Sequence, residues 1–476
     1  MGVILLLHTL LVLLFTIRIL LRDDLSPPGR LAWFVVLNLL PYFGSAMYFL
    51  FGETDLGDRA DKRHKEIFEE IRAKASWFMG EATNTEKLID PVYLSAFQYA
   101  GSINGFHPSM GNAAELMADG DETLTRMVAD IDAAIDHVHV LYYIWIDDNT
   151  GHAIAEALIR AAHRGVTCRA MADGLGSRAM INSALWQRMR GAGVHLAVAL
   201  SLKHPIRTIL TSRLDLRNHR KITVIDSRVT YCGSRNSADP EFLVKAKYAP
   251  WVDIMLRFTG PVVVQNQLLF ASDWMQATNE ALDGIALARG PTDGGFPAQV
   301  MGVGPTERHG ATPQLFANLI ACAQDRLTLT TPYFVPDATV LEALCATAYR
   351  SVSVSLIFPK VNDSLIVAAA SRSYYHRLLD AGCTIHEFKG GLLHAKILTI
   401  DGKISLIGSS NLDLRSFDLN YENNILLQDE ATTLAIEERQ QTYVSRSEVV
   451  GLPTVLAWHY HKRIWHNVIA TIGPVL

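Results

Sequence analysis

Paired cysteine is what this chain most plainly lacks. Its five cysteines, Cys168, Cys232, Cys322, Cys345 and Cys383, stand far apart with no C-x-x-C among them. That excludes a disulfide framework and a thiolate metal cage, and it suits a reducing compartment. Charge is sparse as well: 19% of residues are Asp, Glu, Lys or Arg, and the net charge is −5. An acidic balance disfavours a general nucleic-acid binder, so no nucleic-acid partner is expected. No long disordered tract interrupts the chain. With 49% of its 476 residues hydrophobic, it can bury a large core in addition to an anchor. Finally, no lysine or arginine precedes the first apolar run and no clear small-residue cleavage site follows it, which argues against a cleaved signal peptide.

What the N-terminus does have is two apolar runs, Gly2 to Ile17 and Leu31 to Phe51, joined by a polar, proline-bearing link from Arg22 to Arg30. Each approaches the roughly 20 residues a helix needs to cross hydrocarbon. The first reaches Leu21 only if Arg18 snorkels. The expectation is a two-helix hairpin anchor over residues 1–52, with an interfacial or re-entrant lie of the first run as the alternative. The stretch after the second run carries Arg59, Lys62, Arg63 and Lys65, against Arg22 and Arg30 in the link. The positive-inside rule then puts the rest of the chain in the cytoplasm.

Beyond the anchor the chain repeats itself. His219-Arg220-Lys221-Ile222-Thr223-Val224-Ile225-Asp226 returns as His394-Ala395-Lys396-Ile397-Leu398-Thr399-Ile400-Asp401. Each copy reaches a Gly-Ser-x-Asn tetrad fourteen residues after its histidine (219 to 233, 394 to 408). One H-x-K-x4-D string is weak, because its residues are ordinary surface types; two copies with matched tetrads are not a chance pattern. Around them the likeness is looser. Leu185 to Val194 and Tyr374 to Cys383 both read as a helix closing on glycine before a strand, and Val138 to Ile146 matches Leu327 to Val335 as an apolar, β-rich run. Strand, helix, strand, helix, strand in both halves argues an α/β fold duplicated within one chain as two pseudo-symmetric lobes, each a mixed sheet flanked by helices. The expected organisation is an anchor (1–52), a connecting segment (53–120), a first lobe (121–290) and a second lobe (291–476).

On a strand, His219 and Lys221, or His394 and Lys396, leave from one face toward a common cleft. Asp226 and Asp401 lie at odd spacing from those pairs and open turns, which makes a local role in the turn the expectation from spacing. Ser234, Asn236, Ser409 and Asn411 of the tetrads supply compact hydrogen-bonding groups suited to an oxyanion. A histidine, a lysine, a hydroxyl and an amide around one point, doubled, describe a pocket for a phosphate diester. One imidazole attacks; the other protonates the departing alcohol and later deprotonates the incoming one. A carboxylate behind each ring sets its tautomer, and Asp253 and Glu422 are the candidates.

These paired H-x-K-x4-D and G-S-x-N motifs resemble those of the phospholipase D superfamily. The flanking segments Asp215 to Lys221, Thr331 to Pro336, Gly390 to His394 and Asn411 to Ser416 resemble bacterial cardiolipin synthases, and the likeness extends over nearly the whole chain. The resemblance implies transfer of a phosphatidyl group from one phosphatidylglycerol to another, releasing glycerol, through a phosphatidyl-histidine intermediate and without metal or other cofactor. It also implies catalytic positions at His219, Lys221, Asp226, His394, Lys396 and Asp401, with His219 favoured as the attacking residue. It implies a multi-pass protein of the bacterial inner membrane. Phosphatidylglycerol, as donor and acceptor, and anionic membrane lipid are the expected partners.

Other features have plainer readings. The basic insertion of the first lobe (Lys203, Arg207, Arg213, Arg217, Arg220 and Lys221 against Asp215) is either a solvated face or a contact with an anionic leaflet. Trp458 to His466 reads as a helix docked on the second lobe, with an interfacial aromatic belt as the alternative; its histidines lack a carboxylate or thiolate partner at ligand spacing. Trp33, Trp145 and Trp251 read as packing. The rival functions are a phosphodiesterase that hydrolyses phospholipid to phosphatidic acid, a nuclease of the same superfamily, which the anchor and acidic balance disfavour, and a non-catalytic membrane scaffold.

Overall fold

A computed structural model describes the chain except for residues 1, 24, 26, 41, 53–57, 202–214, 282, 284–286, 288–293 and 473–476. Most of the basic insertion, including Lys203, Arg207 and Arg213, lies outside the described residues.

The apolar N-terminus forms three helices, Gly2–Leu20, Pro27–Leu39 and Phe43–Phe51, rather than the two expected. The second run is broken because the sequence places proline at position 41, where no N–H is available to continue a helix, and Tyr42 adopts a left-handed φ of 59°. The resulting helices of 13 and 9 residues fall short of the roughly 20 needed for a span. Among the described residues no helix is long and apolar enough to cross a membrane. The three helices share a small inner cluster of Ile19, Leu37 and Tyr48, with Trp33 edge-on to Tyr48 at 5.2 Å. Most of their other apolar side chains, among them Leu10, Leu14, Leu20 and Phe43, point outward.

The rest is organised by one sixteen-stranded sheet. Its midline is the antiparallel pair Ser109–Leu116 and Phe296–Val303. The same order of strands runs outward from each. On one side come Met255–Thr259, Val229–Gly233, Lys221–Ile225, His137–Tyr142, Thr167–Asp173 and His195–Ala199; on the other, Asn420–Gln428, Ile404–Gly408, Ile397–Ile400, Arg326–Thr330, Ser353–Pro359 and Thr384–Phe388. In both halves the three outermost of these are parallel and joined through helices, while the hairpin strand after each motif histidine runs antiparallel to them. The stretch 53–120, expected as a connector, thus also supplies a strand at the centre of the sheet.

Most side chains of the parallel strands are buried, although polar residues such as Arg169, Thr328 and His386 interrupt the apolar ones. Leu341 and Leu344 of helix Ala338–Tyr349 and Leu158 of helix Asn149–His163 cover them. Helix Val262–Thr278 lies behind the midline and is buried along nearly its whole length. Within it, Gln265 accepts from Val300 N–H at 2.9 Å and donates to His107 O at 2.8 Å, tying the two halves together. At the C-terminus, helix Tyr460–Ile472 docks against the second half through Ile469, beside Ala369 and Ala370.

Candidate active site

Two short parallel ladders set the site's geometry. Arg217–Asn218 pairs with Asn420–Tyr421, and Leu392–Leu393 pairs with Trp251–Val252. Each ladder borrows a strand from the other half, and the residues that follow are brought abreast: His219 beside Glu422, His394 beside Asp253. The backbone seals the register, with His219 N–H donating to Tyr421 O at 2.9 Å and His394 N–H to Val252 O at 2.8 Å.

The side chains then pair across the halves. His219 Nδ1 donates to Glu422 at 2.8 Å, and His394 Nδ1 donates to Asp253 at 2.6 Å. This fixes the tautomer, leaving each Nε2 with its lone pair or proton for chemistry. Each carboxylate is held by a serine of its own half. Ser234 Oγ donates to Asp253 at 2.6 Å, and Ser409 Oγ donates to Glu422, which also accepts from Ser416 Oγ at 2.9 Å. The serines expected to bind phosphate therefore donate their hydroxyl protons to carboxylates. Of the tetrad amides, Asn236 Oδ1 accepts from Ile144 N–H at 3.2 Å, and Asn411 is fixed by its backbone N–H donating to Ser416 Oγ at 3.2 Å.

The motif lysines sit at the mouths of the following strands, not within a shared strand with the histidines. Each Nζ turns back to the carbonyl of its own histidine at 2.6 Å, Lys221 to His219 and Lys396 to His394. Tyr143 stands edge-on to the His219 ring at 4.9 Å, and Trp251 lies against the His394 ring at 4.6 Å. Both aromatics escaped sequence reasoning. Trp251 was legible only as packing, although its place two residues before Asp253 mirrors Asn420 before Glu422.

Electrostatics follow from burial. Desolvation holds His219 below the ordinary histidine value, and the charge of Lys221 adds to it against the pull of Glu422; His394 is lowered likewise by burial and Lys396. Burial alone would raise Glu422 and Asp253, but the histidine opposite each, the neighbouring lysine and the serine hydroxyl outweigh it and keep both ionised. Burial pushes Lys221 down to about 7 and Lys396 to about 8. The site thus gathers two imidazoles, two ionised carboxylates and two weakened ammonium groups, nearly balanced in charge before a substrate arrives. The pH dependence has a definite sign. Burial lowers His219 and so keeps the attacking ring neutral further into acid, which moves the acid limb of kcat/KM down. Lowered lysine values bring the alkaline limb to about pH 7 to 8. A profile still rising at pH 9 would contradict this origin of the alkaline limb.

Asp226 and Asp401 are not brought to the histidines. Each lies at the far end of the hairpin strand, about 17 Å along at strand rise. Asp226 accepts three backbone N–H bonds, from Ile135 at 3.0 Å, Asp136 at 2.9 Å and His137 at 2.9 Å. Asp401 accepts from Gln324, Asp325 and Arg326 and from Tyr93 OH at 3.0 Å. Both adopt positive φ, 52° and 54°, which aspartate tolerates better than most residues. The catalytic position implied for them by resemblance is therefore corrected to a turn anchor. Asp226→Ala is expected to cost ~2 kcal/mol of stability through three lost charge-assisted bonds, with turnover per folded molecule unchanged, as thermal unfolding and an active-fraction assay would report.

Residues 127–247 and 316–443 match the family model described as "Cardiolipin synthase, PLD-like domain", one segment per motif. Over 97% of the chain, and 95% of the relative's length, it is 33% identical to cardiolipin synthase A of Serratia proteamaculans (strain 568). The chain belongs to the cardiolipin synthase family. Cardiolipin synthase A of Yersinia pseudotuberculosis serotype IB (strain PB1/+) is 34% identical over 97% of the chain and 94% of its own length. Residues 10–53 match a second model, "Phospholipase_D-nuclease N-terminal". In fold, the chain is similar to the phosphatidylserine synthase of Haemophilus influenzae Rd KW20, with a TM-score of 0.59 and 14% identity over 81% of this chain and all of that one.

Proposed function

We propose that this cardiolipin synthase family member joins two phosphatidylglycerols at the cross-paired histidines, with lobes 121–290 and 291–476 each giving one imidazole. His219 Nε2 attacks the donor phosphorus; the bond from phosphorus to the glycerol oxygen breaks, and His394 gives that oxygen its Nε2 proton. Glycerol leaves. The headgroup hydroxyl of a second phosphatidylglycerol then attacks the phosphatidyl-histidine, His394 takes its proton, and the P–N bond breaks to free cardiolipin. The donor phosphodiester carries the negative charge that makes this workable, offsetting the two lysines so that His394 can hold a proton despite its burial. Lys221 and Lys396 oppose the extra charge of the pentacoordinate state, and Asn236 and Asn411 are the amides best placed beside it.

The observation that carries this reading is the reciprocal pairing of each ring with the other half's carboxylate, which supplies two oriented imidazoles of opposite duty. The experiment is product analysis with phosphatidylglycerol vesicles: cardiolipin and glycerol in equal amounts are expected, and phosphatidic acid as the sole product would make the chain a hydrolase instead. We further infer attachment to the inner membrane through the N-terminal helices, with the sheet on the cytoplasmic side. Their outward apolar side chains support this, since such a surface is costly in water and favourable in lipid.

A further inference from the structure

Two projecting segments flank the candidate site, and their chemistry suits a lipid surface. The first is the 3-10 turn Leu243–Tyr248. It is rooted in the site by Phe242, which packs on Trp251 at 4.1 Å, the ring that in turn lies on His394 at 4.6 Å. The second runs from Lys360 into helix Leu365–Ser373. It is rooted by Asp363, which accepts from Tyr333 OH at 2.7 Å, and by Asn362, which donates to Pro332 O at 2.7 Å. Lys245 Nζ reaches Asp363 at 2.5 Å and clasps one segment to the other. Their roots are buried, yet their tips are apolar and bare: Leu243 is 78% exposed, Val244 68%, Val361 55% and Leu365 78%.

Four large apolar side chains on two clasped loops are more than scattered surface leucines. The accompanying charges include three lysines. Lys245, Lys247 and Lys360 stand among the tips; Lys245 is met by Asp363 and Lys360 by Glu448, while Lys247 lies over the Tyr248 ring at 5.6 Å. Apolar tips interspersed with lysines suit the surface of an anionic phospholipid bilayer, in which the tips sink below the headgroups while Lys247 stays at the level of the phosphates.

We propose that segments 242–248 and 360–366 form a rim that inserts into an anionic bilayer around the mouth of the site, so that a phosphodiester reaches the histidines while its acyl chains stay in lipid. This contact is separate from the N-terminal helices, and it rests on the lipid-transferase reading only for the identity of the substrate. Because all five native cysteines are buried, a Leu243→Cys variant of the full chain can carry an environment-sensitive dye at that tip alone. Its emission is expected to shift to the blue on adding phosphatidylglycerol vesicles; an unchanged spectrum overturns the proposal. In the second arm, Leu243→Glu with Leu365→Glu, both at exposed positions, is expected to lower consumption of vesicle phosphatidylglycerol about tenfold. Consumption of a short-chain phosphatidylglycerol dissolved as monomers is expected to stay near that of the unsubstituted chain. Equal loss on both substrates, or loss on neither, overturns the proposal. Both arms read insertion or substrate consumption, so a chain that made phosphatidic acid would sink the synthase reading and leave this test intact.

Discussion

His219→Ala is expected to abolish transfer, with a loss on the order of 10^4-fold or more, or at least about 5.5 kcal/mol of transition-state stabilisation. The loss should persist even with a phosphatidyl ester of nitrophenol, a leaving group that needs no proton. His394→Ala is expected to be equally poor with phosphatidylglycerol, since the first half-reaction needs its proton and the second needs it as a base. With the nitrophenyl ester, however, the first half-reaction is spared. A burst of nitrophenol near one equivalent should appear, followed by accumulation of a phosphatidyl adduct that mass spectrometry maps to His219. The two rings are nearly equivalent in burial and in partner, so the asymmetry of the bursts decides which ring attacks. A burst in His219→Ala and none in His394→Ala would exchange their roles.

Much of this site was legible in the sequence because its parts are local. A histidine and lysine two apart, a turn and a tetrad at a fixed offset all lie on one hairpin, and duplication of the hairpin declared the duplicated fold. The alternation of strands and helices along each half was legible for the same reason: apolar runs and glycine-closed helices are patterns of a few residues. What was not legible depends on contacts between distant segments. Asp253 and Glu422 were recognisable as candidate carboxylates, but which histidine each serves is decided by the two-residue ladders Arg217–Asn218 with Asn420–Tyr421 and Leu392–Leu393 with Trp251–Val252. Nothing in either half announces that register.

The hydrogen-bond partners of the serines were illegible for a related reason. A hydroxyl in a Gly-Ser-x-Asn turn reads as a phosphate ligand until a buried carboxylate from the same half is found in front of it. Likewise Trp251 reads as core until His394 is seen beneath it. At the N-terminus hydropathy was right about apolarity and wrong about continuity, since an average over the run from Leu31 to Phe51 passes over the one proline that divides it.

The cross-pairing has a consequence of comparable size to loss of a ring. Glu422→Gln keeps the shape of the side chain but removes the charge that fixes the Nδ1–H tautomer of His219, and Asp253→Asn does the same to His394. Losses of roughly 10^2- to 10^4-fold in kcat are expected from either, by analogy with the orienting carboxylate of a hydrolase triad. The step affected should differ, and it should follow the partner histidine in the opposite half rather than the motif of the carboxylate's own half. With the nitrophenyl ester, Glu422→Gln, a change in the second half, is expected to slow the burst, because it weakens the attacking ring of the first. Asp253→Asn, a change in the first half, is expected to leave the burst fast and slow the release that follows. Stopped-flow traces of the two variants separate these outcomes. If instead each substitution slowed the step belonging to the histidine of its own half, the reciprocal pairing would have no catalytic meaning.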